Sequence, residues 1–383
     1  TTFLPRLLTI ENPDRQPFAE LWMGTHHRGE AVVNKDGSEL PLSEFIQQQP
    51  VKLLGQAVAE RFDNALPFLF KVLSVAKMLS IQSHPTKAQA ERGFREENER
   101  GVPLDAFHRN FKDDNHKPEV MVALTDFWLL HGFKSAEAIQ QILTEKSAFQ
   151  PLLKHFQNGD IFGLYKYLME MPQARVNQLL QPLADELAHG EYQRDQADYW
   201  AKMAFQDYTR DNGDYDRGVF SIYLFNLVTL KKGEGIYQGA GIPHAYLEGV
   251  NMELMANSDN VFRGGLTPKH VDVPKLLEHL VFDSVTPQVL TGKQLSTTEV
   301  AFVTPAPDFE LRKIDLSQHP IHQNSEEAAP AILIVTTGKI TVSSADKNLE
   351  RQQGEIFFVP ANTAYTIENK GEVAVIFKAT VPG

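Results

Sequence analysis

Gly233 to Tyr246 reads GEGIYQGAGIPHAY, and Gly354 to Tyr365 reads GEIFFVPANTAY. Each stretch opens on Gly-Glu, carries an aromatic four residues after its Gly (Tyr237, Phe358), and reaches a ring eleven residues after it: His244 in the first, Tyr365 in the second. Both units follow a pair of strand-like runs. A turn-strand-turn unit used twice predicts two related β-sandwiches. Only the first copy carries a histidine, so a metal site is expected there and not in the second.

Around these units the chain reads as strands. Phe220 to Leu230 (FSIYLFNLVTL), Gly235 to Gln238, Ala331 to Val335, Lys339 to Val342, Glu355 to Val359 and Val373 to Phe377 are β-branched or aromatic and joined by short polar turns. Upstream, Leu66 to Val72, Met78 to Gln82 and Pro118 to Thr125 have the same character, while Lys87 to Arg100 is a charged helix bounded by Pro85. Between Lys134 and Asp211 apolar residues recur at three and four spacing. Ala136 to Leu143, Gln150 to Phe156, Ile161 to Met169, Ala174 to Leu187 and Gln193 to Ala204 are the expected helices, with Trp200 in their core. The fold class is mainly β with a helical insert. Residues 1–133 and 212–290 are expected to form the metal-bearing sandwich, 134–211 the insert, and 291–383 the second sandwich.

Composition narrows the function. A chain of 383 residues accommodates two or three domains. Its charge, 37 − 49 = −12, argues against wrapping nucleic acid or an anionic membrane, so an anionic ligand must meet a local cluster of cations. The absence of cysteine removes disulfides, thiol nucleophiles and Cys-based zinc sites. Any metal must be held by His, carboxylate, amide or water. The longest apolar runs fall far below the roughly 20 residues that span a bilayer, and no signal peptide is visible. A soluble, cytoplasmic monomer without nucleic-acid or membrane partners is expected.

Four stretches carry candidate chemistry. In Ser80 to Pro85 (SIQSHP), Gln82 and His84 lie two apart on a strand, so an amide oxygen and an imidazole face the same way. In Asn115 to Glu119 (NHKPE), Pro118 keeps Lys117 extended and lets His116, Lys117 and Glu119 project from a strand entrance. His244 lies at a sandwich rim. Ala256 to Lys269 (ANSDNVFRGGLTPK) gathers Asp259, Arg263, Thr267 and Lys269 around two adjacent glycines that let backbone N–H groups approach an anion. Taken alone, Asp259 and Arg263 equally describe an exposed ion pair worth under roughly 1 kcal/mol. Together the four stretches supply the nitrogen and oxygen ligands of an open, Lewis-acid metal site. His26, His27, His108, His131 and His279 lack comparable partners nearby in sequence and are expected to be surface or core residues.

Ala19 to His26 (AELWMGTH), Leu79 to Pro85 with Lys87, Asn115 to Glu119, Pro243 to Tyr246 and Ser258 to Lys269 match, in order, the motifs of type I mannose-6-phosphate isomerases. The chain resembles that family from about Asn12 to Val273. The resemblance implies two cupin-like jelly-roll sandwiches plus an α-helical subdomain. It implies one divalent metal ion, zinc, on Gln82, His84, Glu119 and His244, and a catalytic Arg263 with His116, Lys117 and Asp259 in the same pocket. A sugar phosphate would be the partner, its phosphate held by Ser80, Lys87 and Lys269, and its aldose and ketose forms would interconvert through an enediol. Phe111 and Gly264 depart from the family's more usual Tyr and Ala. Two other functions stay open: a different metalloenzyme on this fold, such as an oxygenase, and a non-catalytic sugar-phosphate-binding protein.

Overall fold

The strand Phe68–Val75 (FLFKVLSV) is buried along its whole length, and so is Glu119–Ala123. Neither alternates between apolar and polar because both of its faces are covered. The computed structural model describes residues 2–35, 37–345 and 347–383; Thr1, Asp36 and Asp346, which fall in the expected segments, lie outside that description. One face of these strands, with Phe68, Phe70, Val72, Val120 and Val122, joins Met252 and Leu254 in a core shared with Phe302, Leu311, Ile332, Ile334 and Phe377 of the second sandwich. The other face, with Leu73, Met121 and Ala123, lines the interior of the first sandwich against Leu129, Leu230 and Ile236.

The long strand His244–Ala256 links the two layers of the first sandwich. Its early residues pair with Ile81–Ser83 and Phe127–Phe133, and its later ones with Phe68–Val75 and Glu119–Ala123. The crossing falls where the register shifts between Tyr246 and Glu248, next to Gly249 at φ +132°. A Cβ on Gly249 would sit 2.5 Å from the Phe127 ring, so the corner requires glycine.

Helices Ala136–Glu145, Ile161–Glu170, Gln173–Ala188 and Ala197–Tyr208 follow, with a 3₁₀ segment at Ser147–His155. Their apolar faces, Trp200 included, form one core with Leu130, Phe133, Phe225 and Phe262 on the outer side of the sheet. The expectation of a strand from Phe220 fails. Gly218–Leu224 is a helix with all seven residues buried, and the strand begins at Phe225. Burial on every side erases the periodicity that separates a buried helix from a buried strand.

In the second sandwich, six strands from Lys293–Gln294 to Val375–Thr380 face a four-stranded sheet built from Ile321–Asn324, Tyr365–Asn369, Lys339–Ser343 and Asn348–Gln352. Leu333, Val335, Ile340, Ile367 and Ile376 fill part of the space between them. Among the described residues no helix is long and apolar enough to cross a membrane.

Candidate metal centre and its surroundings

Antiparallel register sets one row of side chains across the first sandwich: Arg263 opposite Gln82, Gln82 opposite His244, His244 opposite His131. Register partners project from the same side of a sheet. His84, two residues beyond Gln82, projects with them. Glu119 comes from the facing layer, at the start of Glu119–Ala123.

His84 Nε2 lies 3.4 Å from Glu119 Oε1, and His244 Nε2 lies 3.4 Å from Glu119 Oε2. All three residues are buried. A tetrahedron with bonds of about 2.1 Å has edges of about 3.4 Å, the spacing found here. His84 Nδ1 bonds the Asn260 carbonyl at 2.9 Å, and His244 Nδ1 bonds the Ile242 carbonyl at 3.0 Å. With each Nδ1–H donated to a carbonyl, both Nε2 lone pairs face the centre of the cluster, as they do in metal-bound histidines. His84 Nε2 has no hydrogen-bond partner although it is buried. Burial, then the Lys117 charge, pushes the His84 pKa down to about 4, so the ring is neutral and able to coordinate at neutral pH. Burial alone would raise Glu119, but Lys117 and the two histidines outweigh it and hold the carboxyl well below its usual value. The donor set therefore fits a divalent ion of the zinc kind. Gln82 donates its amide N–H to Ser80 Oγ at 3.3 Å, which leaves the amide oxygen free to accept or coordinate.

The other expected residues fall at different distances from this cluster. Lys117 Nζ is 3.0 Å from Glu119 Oε1. Arg263, half-buried, has no ion-pair partner among the described residues, and burial lowers its pKa from the ordinary arginine value. His116 Nε2 is engaged at 2.8 Å by Asp308, which belongs to the second sandwich. Asp259 is faced by the chain's own side chains: His26 at 3.4 Å, His27 at 3.7 Å and the Arg28 guanidinium at 3.5 Å. Burial would raise the Asp259 pKa, yet these groups bring it down to about 2. His26 Nδ1 accepts the Arg28 backbone N–H, so its proton sits on Nε2 and is donated towards Asp259. His26, His27 and Asp259 form a second group whose ligand atoms lie close to one another, with Asp259 Oδ2 buried and without a hydrogen-bond partner. Ser80 is partly buried, while Lys87 is exposed and spans to the Asp114 carbonyl at 3.0 Å. Lys269 lines a cleft of about 620 Å³ with Arg210, Tyr215 and Arg217 beside the helical segment.

Three residues were not singled out by the sequence. Asn260 accepts His84 Nδ1–H on its carbonyl, and its side-chain amide donates to the carbonyls of Asp113 and Asn115 at 2.8 Å. It stitches the loop before Glu119 to the loop before Arg263, so it sets the spacing of the cluster. His131 faces His244 across the register, bonds the Tyr237 carbonyl at 3.1 Å, and is lowered to about 4 by burial and then by His244. Asp308 could not be linked to His116 by any local pattern. Gly264 has a local explanation: a Cβ there would meet Ile81 at 2.9 Å and the Tyr165 hydroxyl at 3.1 Å.

Comparison with known proteins fits this geometry. Residues 2–136 match a family model described as phosphomannose isomerase type I, catalytic domain, and residues 298–378 match one described as mannose-6-phosphate isomerase, cupin domain. Mannose-6-phosphate isomerase of Escherichia coli K12 is 38% identical over 98% of this chain and 95% of its own length. The chain belongs to the type I phosphomannose isomerases. The mouse mannose-6-phosphate isomerase is 34% identical over 96% of this chain and 87% of its own length. A solved structure of the Salmonella typhimurium mannose 6-phosphate isomerase, bound to its substrate fructose 6-phosphate and to zinc, superposes with a TM-score of 0.87 at 33% identity, covering 99% of this chain and 95% of that one. The likeness reaches beyond Val273, where the motifs fade, into the second sandwich.

Proposed function

We propose that this chain interconverts mannose 6-phosphate and fructose 6-phosphate, with a zinc-type ion held by Gln82, His84, Glu119 and His244. The observation that carries the reading is the buried trio of His84, Glu119 and His244 with 3.4 Å donor spacing and an orphaned Nε2. Such an ion would supply Lewis-acid stabilisation of negative charge on the substrate oxygens.

The isomerisation moves a proton between C1 and C2, and the enediol oxygens gain negative charge on the way. Arg263 shares a register row with Gln82 and His244, and its guanidinium is not neutralised by a carboxylate among the described residues. A fixed positive charge of that kind stabilises the developing oxyanion without reorganisation. Lys117 keeps Glu119 ionised. Asp259, held at about 2, is a poor proton acceptor, which leaves His116 and Lys117 as the stronger candidates to carry the proton. Ser80, Lys87 and Lys269 are proposed to meet the phosphate; of these Ser80 is tied directly to a ligand candidate through Gln82.

Fructose 6-phosphate incubated with metal-replete protein should yield mannose 6-phosphate, and chelator should stop it. Arg263→Ala should lower kcat/KM by several orders of magnitude with metal content unchanged. No conversion by metal-replete protein would remove the reading, and near-normal turnover in the variant would remove the role of Arg263.

A further inference from the structure

Beyond Arg263 the strand Phe262–Gly265 runs up against the helical segment. A Cβ on Gly265, at φ +130°, would meet the Gly218 backbone at 2.6 Å, so the two stretches of chain abut there. Asp216 fastens the join: its carboxylate accepts the backbone N–H groups of Gly218 at 2.7 Å, Leu266 at 2.8 Å and Thr267 at 3.3 Å. Beside the join lies the cleft of about 620 Å³, a volume within the range of small-molecule sites. Arg210, Arg217, Lys269 and His270 line it together, and none of Gln82, His84, Glu119, His244 or Arg263 does.

None of these four basic residues forms an ion pair among the described residues. Arg217, half-buried, donates to the neutral carbonyl of Met169, which engages one of its N–H groups and cancels none of its charge. Burial lowers the Arg217 pKa from the ordinary arginine value, Asp216 opposes the fall, and the Arg210 charge adds to it, so two like charges act on each other across the cleft. Of the two carboxylates in the lining, Asp216 is held by its three backbone donors, and Glu170 is exposed and 4.0 Å from Lys166. Phe107, 75% exposed, stands in the same lining with its ring 5.5 Å from that of His270.

We infer that this cleft is an anion site, separate from the metal pocket, that takes a phosphate monoester with its organic part against Phe107 and His270.

The charges select the class. A phosphate dianion relieves the repulsion between the two arginines, and guanidinium forks match phosphate oxygens in geometry. In a chain of net charge −12, basic residues gathered without carboxylate partners form a local field that attracts an anion. Phe107 adds a flat apolar face, so an ester that carries a ring gains a contact that inorganic phosphate lacks. Lys269, offered above to the substrate phosphate, is the one residue of the cleft that the proposed reaction uses; the inference stands on Arg210 and Arg217.

The test is calorimetric titration of the full-length, metal-replete protein with inorganic phosphate, glycerol 3-phosphate and AMP as probes. AMP should bind saturably and most tightly, and less tightly as ionic strength rises. Arg210→Gln and Arg217→Gln should each weaken that binding about tenfold with turnover of fructose 6-phosphate unchanged. Arg210 is exposed, so Arg210→Gln carries the test if Arg217→Gln melts early. Three results would overturn the inference: no saturable binding of any probe, binding that neither arginine variant weakens, or inorganic phosphate bound as tightly as AMP. AMP displaced competitively by fructose 6-phosphate, with both variants binding as the parent does, would place it in the metal pocket instead. Failure of the parent protein to isomerise would remove the proposed function and leave the result with the arginine variants standing.

Discussion

Lys71→Met would break a buried ion pair beside the metal cluster. Lys71 Nζ lies 3.1 Å from Glu253 Oε2, and the Tyr246 hydroxyl donates to the other carboxylate oxygen at 2.8 Å. Lys71 is 8% exposed and Glu253 3%, so solvent screens the pair little. At 3.1 Å and an effective dielectric of about 20, the Coulomb attraction is about 5 kcal/mol. Removing two ions from water opposes this by several kcal/mol each, so the intact pair contributes little net stability. Breaking it leaves a carboxylate buried without its counter-ion, at a cost of about 3–5 kcal/mol. Burial, assisted by the Glu119 charge, already holds the Glu253 carboxyl above its usual value, and Lys71 opposes that rise.

Lys71→Met should therefore lose about 3–5 kcal/mol in urea unfolding of the metal-free protein, and Lys71→Met combined with Glu253→Gln should lose under about 1.5 kcal/mol, because the amide still accepts from Tyr246. The Trp22 ring lies 5.3 Å from Lys71 Nζ, so tryptophan fluorescence includes a reporter beside the altered site. The deficit of the single variant should shrink as the pH falls. Its native carboxyl, raised above the unfolded value of about 4.3, binds a proton first, so the native state gains stability on acidification in that window. The reasoning fails if Lys71→Met costs under about 1 kcal/mol, or if the double variant loses the sum of the two single losses.

Bound metal should raise the melting temperature, with about 4 kcal/mol of stabilisation at free metal about a thousandfold above Kd, and Glu119→Gln should erase most of the difference between metal-loaded and chelated protein in a thermal scan. Asp259, lowered to about 2, contributes stability that is complete above its unfolded pKa near about 3.9 and is lost as pH falls towards 2. Asp259→Asn should flatten the stability profile over that acid range; parallel profiles would show that His26, His27 and Arg28 do not act through the carboxylate. Gly93 lies in the helix Lys87–Glu99, where alanine would ordinarily gain about 1 kcal/mol. A Cβ there would meet the Phe111 ring at 2.2 Å, so Gly93→Ala should instead lower the melting temperature through about 1–3 kcal/mol of overpacking. Phe111→Leu should relieve part of that loss.

The parts of the site legible in the sequence were those set by local geometry. Gln82 and His84 share a face because strand side chains alternate, and Pro118 places Glu119 at a strand entrance. Their convergence with His244 depends on which strands pair, a non-local outcome that only the order of the motifs suggested. Where a partner came from a remote segment, nothing local announced it: Asp308 meets His116 from 192 residues away. His131 was hidden for a different reason. It lies in an apolar strand, FWLLHGF, and only the register with His244 turns it from a core histidine into a neighbour of the cluster. The repeat that revealed two sandwiches shows the same division. It placed His244 and Tyr365 at equivalent strand starts, each with an amide opposite. The chemistry at those positions is set by facing strands the repeat does not include: Glu119 across from His244, and the Lys378 ammonium 5.8 Å from the Tyr365 ring. At the first position the Gln82 amide oxygen is left open beside Glu119; at the second the Lys378 ammonium already occupies the equivalent amide oxygen, Asn324 Oδ1, at 2.9 Å. Converting Tyr365 to histidine alone should therefore create no metal site, because Lys378 would remain; metal analysis of Tyr365→His that found a second bound ion would contradict this.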